Sequence, residues 1–301
     1  MEVNKAEQAK EAKEAFLASV AAKSHDAALR GDYSKIDAQY VVAQDWDDYT
    51  PEQHALWRRL YRRQADLLPG RACDLFIDSL QKLDASQQIP RFDLVNQALL
   101  QATGWRLVAV PGLVPDSVFF EHLANRRFPV TVWLREPEEF DYIAEPDVFH
   151  DFFGHVPLLF NPVFAAHMQA YGKGGLKALP LDGLDMLGRL YWYTVEFGLI
   201  QTAQGLRVYG AGILSSAGEI EYCLRAPQPH RIAFDVERVM RTLYKIDSYQ
   251  ETYFVIRDFQ QLFDDTAPDF TPLYARLSQL APLPADSLLP GEIDLASAIV
   301  S

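Results

Sequence analysis

The chain has 301 residues, 49% hydrophobic and 23% charged, ordinary proportions for a soluble globular protein with a sizeable core. Its 41 acidic and 28 basic side chains give a net charge of -13, which argues against a nucleic-acid backbone or an anionic membrane as partner. Cys73 and Cys223 stand far apart and give no disulfide scaffold or thiolate metal site, and no run reaches the roughly 18 apolar residues of a membrane span.

Residues 1–30 are rich in Ala, Glu and Lys without a strong apolar face, so a frayed helix or a flexible extension is expected there. Glu2, Glu7, Glu11 and Glu14 precede the short apolar run from Ala15 to Ala22, which disagrees with a secretory or mitochondrial leader and points to the cytoplasm. Residues 31–49 are expected to run extended along the surface. Thr50-Pro51-Glu52-Gln53 then reads as a helix start, with threonine as cap, proline in the first turn and Gln53 closing a capping box. Leu56, Trp57, Leu60, Tyr61, Leu67 and Leu68 share one side of that helix. Cys73, Phe76, Ile77, Leu80 and Leu83 mark a second helix, and a third spans Asp93 to Thr103.

Further helices are expected at Asp116–Leu123, Asn161–Tyr171 and Asp185–Ala203, and after Ser216, where Glu219 occupies the third position of a capping box. Strand signals are few and short: Trp105–Val110, Val130–Leu134, Arg207–Tyr209, His230–Phe234 and Thr252–Ile256. Residues 282–301, with Pro282, Pro284 and Pro290, read as a loosely attached tail. The pattern is one mainly α domain with minor β over residues 31–281.

Chemistry concentrates in Glu145-Pro-Asp-Val-Phe-His-Asp-Phe-Phe-Gly-His-Val-Pro-Leu158, where His150 and His155 lie among aromatics. Positions five apart are about 140° apart on an α-helix. Gly154 ending a short helix, with Pro157 pushing Val156 out of the α region, would let His155 turn toward the point His150 faces. Two such imidazoles need polar partners, and a metal is one answer. A candidate third ligand is Glu196, the only acidic residue between Asp185 and Glu219, in the apolar stretch Tyr191-Trp-Tyr-Thr-Val-Glu-Phe-Gly-Leu-Ile200. It needs a cation, either Arg189 or Arg207 or a metal already held by two histidines. Two histidines and a carboxylate leave positions open, as in non-haem iron(II) oxygenases. Asp147, Asp151 or backbone carbonyls are candidates to orient the imidazoles.

These motifs, together with Tyr209-Gly-Ala-Gly-Ile-Leu-Ser-Ser216 and Gly218-Glu219, occur in the order found in the pterin-dependent aromatic amino acid hydroxylases. Over about residues 30–280 the chain resembles their catalytic domain, above all that of bacterial members acting on phenylalanine. The resemblance implies a mainly α domain with the iron site in a central helical basket. It implies 4-hydroxylation of L-phenylalanine to L-tyrosine, using O2 and a tetrahydropterin at Fe(II) held by His150, His155 and Glu196. Arg135 falls where the family holds the substrate carboxylate, and Tyr191, Trp192 and Ser215 fall at substrate-pocket positions. Phe119 falls at the pterin-stacking position, in Gly112-Leu-Val-Pro-Asp-Ser-Val-Phe119, with Leu113 and Val114 beside it as further pterin contacts. By pattern alone Arg135 would pair with Glu136, Glu138 or Glu139, and Phe119 would be core.

Ile143 replaces a threonine that in animal members helps hold the substrate's polar end, and Asp151 stands where they have glutamate. The chain has no room for their regulatory domain and tetramerisation helix, so a monomer is expected, functionally linked to pterin-recycling enzymes. Alternatives are a tyrosine or tryptophan hydroxylase of the same family, a 2-oxoglutarate oxygenase, a zinc hydrolase, and a metal- and pterin-binding protein without catalysis.

Overall fold

The computed structural model describes residue 15, residues 30–143 and residues 145–295. Apart from residues 15 and 30, the expected N-terminal extension lies outside the described residues.

Thr50 caps helix α1 (Pro51–Leu67) as its sequence dictates, with its side chain on Gln53 N and Gln53 returning to Thr50 N. The helix buries Leu56, Trp57 and Leu60. Trp57 is fully buried, donates its indole N–H to Ala85 O at 2.7 Å, and meets Phe149 and Phe152 edge-on at 5.4 and 5.9 Å. Helix α1 therefore supports the histidine segment from beneath. Helices α2 (Asp74–Lys82) and α3 (Phe92–Ala102) follow near their expected positions.

A two-stranded parallel sheet pairs β1 (Arg106–Val110) with β2 (Arg127–Thr131) across helix α4 (Asp116–Ala124). The second strand thus begins three residues earlier than Val130. Helix α5 (Pro162–Ala178), capped by Asn161, packs along α4. Helix α6 (Leu184–Tyr191) continues into a π turn over Trp192–Glu196 and stops. The expected helix to Ala203 is therefore wrong in its second half: Leu199–Thr202 is strand β3. It pairs antiparallel with β4 (Gly205–Val208) and parallel with β6 (Thr252–Ile256), which also pairs with β5 (His230–Ala233). An apolar run at Leu199–Ile200 fits a buried strand as well as a helix, and the sheet decides.

Helices α7 (Ala211–Leu214), α8 (Ala217–Arg225), α9 (Val236–Arg241), α10 (Phe259–Thr266) and α11 (Thr271–Leu277) complete the described fold. The last three were not singled out by periodicity. Residues 282–295 are held more firmly than a loose tail. Leu283 exchanges backbone hydrogen bonds with Leu243 and Arg241, and the buried Arg238 guanidinium binds Glu292 and Ser287 O. No helix among the described residues is long and apolar enough to cross a membrane.

Candidate metal centre

The expected α-helix with a break at Gly154 is instead a π turn spanning His150–His155, followed by a 3-10 turn over Val156–Phe160. A π turn hydrogen-bonds i to i+5 and carries more residues per turn than an α-helix, so positions five apart return to the same side. Val156 stays in the right-handed helical region, at φ -62 and ψ -38. Pro157 therefore does not exclude helix there, because its ring is tolerated at the start of the new turn. Gly154 serves a close approach rather than a helix end: a Cβ on it would lie 2.8 Å from Ala211 O and 2.9 Å from Ala211 Cβ. The π turn thus rests directly on α7. Glu196 closes the second π turn, and a Cβ on Gly210 would lie 2.4 Å from its carbonyl oxygen.

The two turns bring His150, His155 and Glu196 together, with one ligand atom from each within 4.8 Å of the others. His155 Nε2 is 3.2 Å from Glu196 Oε1, and His150 Nε2 is 3.6 Å from Glu196 Oε2. Neither Arg189 nor Arg207 reaches Glu196; they donate to Met240 O and Leu206 O. Burial pushes the Glu196 pKa up, but the neighbouring His155 and His150 and the Gly212 N–H outweigh it and hold the carboxyl below its usual value. Burial pulls His155 down, and Glu196 and Asp151 more than reverse this, so its pKa is raised. Two imidazole nitrogens and a carboxylate turned toward one point fit a divalent first-row metal and leave coordination positions free.

His150 Nδ1 sits 2.9 Å from Ser215 Oγ, which donates to Ala211 O at 2.9 Å. The orienting partner of this imidazole is therefore a serine, not the aspartates expected for it. Asp147 is taken by Arg135, whose Nε and Nη2 donate to its two oxygens at 2.8 and 2.9 Å. Its carboxylate also accepts the backbone N–H of Arg135 and of His150. Arg135 is 4% exposed and does not form the surface pair with Glu136, Glu138 or Glu139. Nη1 has no hydrogen-bond partner among the described residues. Asp151 instead accepts the Thr131 N–H, and burial raises its pKa against the pull of His150 and that hydrogen bond.

A cavity of about 1150 Å³ opens onto His150 and Glu196. Arg135, Tyr191, Trp192, Ser215, Phe119, Leu113 and Ile143 all line it, whereas Val114 does not. Phe119 is half-buried and meets Tyr191 edge-on at 5.7 Å, which leaves its ring partly open to the cavity. Trp192 stacks on Tyr244 at 4.4 Å and 17°. Sequence reasoning missed the wall formed by Leu243 to Gln250, and it gave Glu219 no place in the site beyond a helix start and the Gly218-Glu219 motif. Glu219 is buried in that wall, where its Oε1 accepts the Tyr253 hydroxyl and Gln250 N–H and burial lifts its pKa to about 7. The capping box expected at Glu219 is only half formed: Ser216 Oγ accepts the Glu219 N–H at 3.4 Å, but the carboxylate turns to Tyr253 and Gln250 instead of returning to Ser216.

The family model for biopterin-dependent aromatic amino acid hydroxylases matches residues 24–272. The chain belongs to this family. It is 59% identical over 257 residues to the phenylalanine-4-hydroxylase of Chromobacterium violaceum, covering 85% of this chain and 86% of the relative. Identity to the phenylalanine-4-hydroxylase of Ralstonia nicotianae is 60% over 254 residues, covering 84% and 81%. Among solved structures, cobalt-bound C. violaceum phenylalanine hydroxylase superposes with a TM-score of 0.84 at 59% identity, covering 86% of this chain and 94% of that one. The same enzyme with bound oxidised Fe(III) gives 0.83 at 58% identity, covering 85% and 93%. The mainly α hydroxylase fold is thus the fold of this chain.

Proposed function

We propose that the protein is a phenylalanine 4-monooxygenase, converting L-phenylalanine to L-tyrosine with O2 and a tetrahydropterin. The observation that carries this reading is the triad His150, His155 and Glu196, two members of which, His150 and Glu196, line a cavity that Arg135 also lines. His150, His155 and Glu196 hold Fe(II), which supplies the oxygen activation that no side chain can perform. Arg135, with its plane fixed by Asp147, offers Nη1 to the substrate carboxylate as a charge-assisted donor. Tyr191, Trp192 and Ser215 shape the substrate side of the cavity. Phe119 offers its ring face to the pterin, with Leu113 beside it; Val114, expected there too, does not line the cavity and takes no part. Ser215 keeps the His150 ring turned toward the metal, and the aromatic walls exclude bulk water from the reacting ring.

The catalytic domain in this reading covers residues 31–281, between an N-terminal extension and a C-terminal segment. The protein acts in the cytoplasm as a monomer, dependent on enzymes that reduce the spent pterin again. Purified protein loaded with Fe(II) and supplied with tetrahydropterin, O2 and phenylalanine should form tyrosine. A metal-replete sample that forms none sinks the reading.

A further inference from the structure

The cavity wall from Leu243 to Tyr249 lies between α9 and β6 and has no regular secondary structure. Leu243 is anchored by its N–H on Leu283 O and by the Tyr193 hydroxyl on its carbonyl, but beyond it Ile246 at the tip is 74% exposed, so neither a hydrogen-bond ladder nor core burial sets the shape of residues 244–249. The group that does is Gln250, which is 2% exposed. Its Nε2 donates to Lys245 O at 3.0 Å and to Ser248 O at 3.4 Å, bracing the loop from inside. Its backbone N–H is fixed on Glu219 Oε1 at 3.3 Å. The side chain makes one bond that leaves the loop: Oε1 accepts the indole N–H of Trp192 at 2.9 Å.

Trp192 begins the π turn that ends at Glu196, and its ring lies against Tyr244 of the same loop. A buried glutamine that only braced its loop could keep its oxygen on any local donor. Here that oxygen joins the middle of the wall to the turn that carries Glu196, where the Tyr193 hydroxyl of the same turn holds only its first residue, Leu243. We propose that Gln250 is a positioning residue: through Trp192 it sets the distance between the 243–249 wall and the metal centre, and so the space in which the substrate ring is held. This rests on the hydroxylase reading.

Without the tie, the wall relaxes outward and phenylalanine is held less closely. The two electrons of the tetrahydropterin then reduce O2 to hydrogen peroxide instead of reducing one of its oxygen atoms to water while the other enters the ring. Gln250→Met keeps side-chain length and removes both the acceptor and the donors. It should raise KM for phenylalanine about three- to tenfold, the span of one lost hydrogen bond, the tie to Trp192, with bound iron unchanged. Tyrosine formed per pterin oxidised should fall well below the wild-type ratio, with peroxide making up the difference. Trp192→Phe deletes the same bond from the other side, so the double variant should couple no worse than the poorer single variant. Wild-type KM and coupling in Gln250→Met, a loss of kcat alone, or additive losses in the double variant overturn the proposal. Should Gln250→Met not fold, Trp192→Phe is read by the same ratio, and unchanged coupling overturns it equally. Failure of the hydroxylase reading is distinct, because wild-type protein would then form no tyrosine.

Discussion

Arg135 and Asp147 form a buried bidentate pair, and the same carboxylate accepts the backbone N–H of His150. One aspartate therefore fixes both the plane of the guanidinium and the start of the turn that carries two metal ligands. Asp147→Asn removes the charge from one side of a pair that is 3% and 0% exposed. It should cost about 3–5 kcal/mol of stability, as loss of a buried ion-pair partner does. It should also raise KM for phenylalanine more than it lowers kcat. Denaturant titration and steady-state kinetics check both, and an unchanged KM argues against Arg135 as the carboxylate partner.

The histidines and Glu196 were legible in the sequence because each is a polar group in an apolar context that demands an explanation, whereas Arg135 stood out only through the family resemblance. Their geometry was not legible. A π turn has no distinct sequence signature, and Gly154 reads as a helix end when it is in fact a contact surface for Ala211. The partners of His150 and Arg135 differ from those expected, Ser215 for an aspartate or carbonyl and Asp147 for a neighbouring glutamate, because tertiary packing and not spacing places them. Gln250 gave no signal, since a glutamine before a strand is ordinary until Trp192 is seen against it.

Ser215 holds Nδ1 of a metal ligand, so its loss should act on the metal and not on the fold. Ser215→Ala is expected to weaken Fe(II) binding about 10- to 100-fold, the range found for partners of ligating histidines. Titration of apoprotein with Fe(II), read beside the thermal midpoint, separates this from a folding defect. Wild-type affinity in this variant would remove Ser215 from that role.

His167 provides a pH dependence away from the metal. It is buried, its Nδ1 lies 2.8 Å from Thr266 Oγ1, and Nε2 has no partner among the described residues, so burial pulls its pKa down to about 4. The unfolded chain binds this proton first as pH falls below about 6.5. The contribution to stability is thus complete above that value and is lost as pH falls toward about 4. Urea unfolding between about pH 7 and 5 should show this slope, and His167→Leu should flatten it. An identical slope in the variant assigns the effect to other groups.

Trp57 links α1 to the histidine turn through Phe149 and Phe152. Trp57→Ala should cost about 3–5 kcal/mol by opening a cavity under that turn. It should also reduce metal retention, because the support of His150 and His155 goes with it. Equilibrium unfolding of apoprotein together with iron content tests the link, and a stability loss with full iron retention would break it.

The central claim is that a metal held by His150, His155 and Glu196 directs an atom of dioxygen into the ring of phenylalanine. Mass spectrometry of tyrosine formed under 18O-labelled dioxygen in ordinary water tests it most directly. One labelled oxygen in the product of wild-type protein, and no tyrosine from Glu196→Ala, is the predicted result. Unlabelled tyrosine, or wild-type turnover in the Glu196 variant, would contradict it.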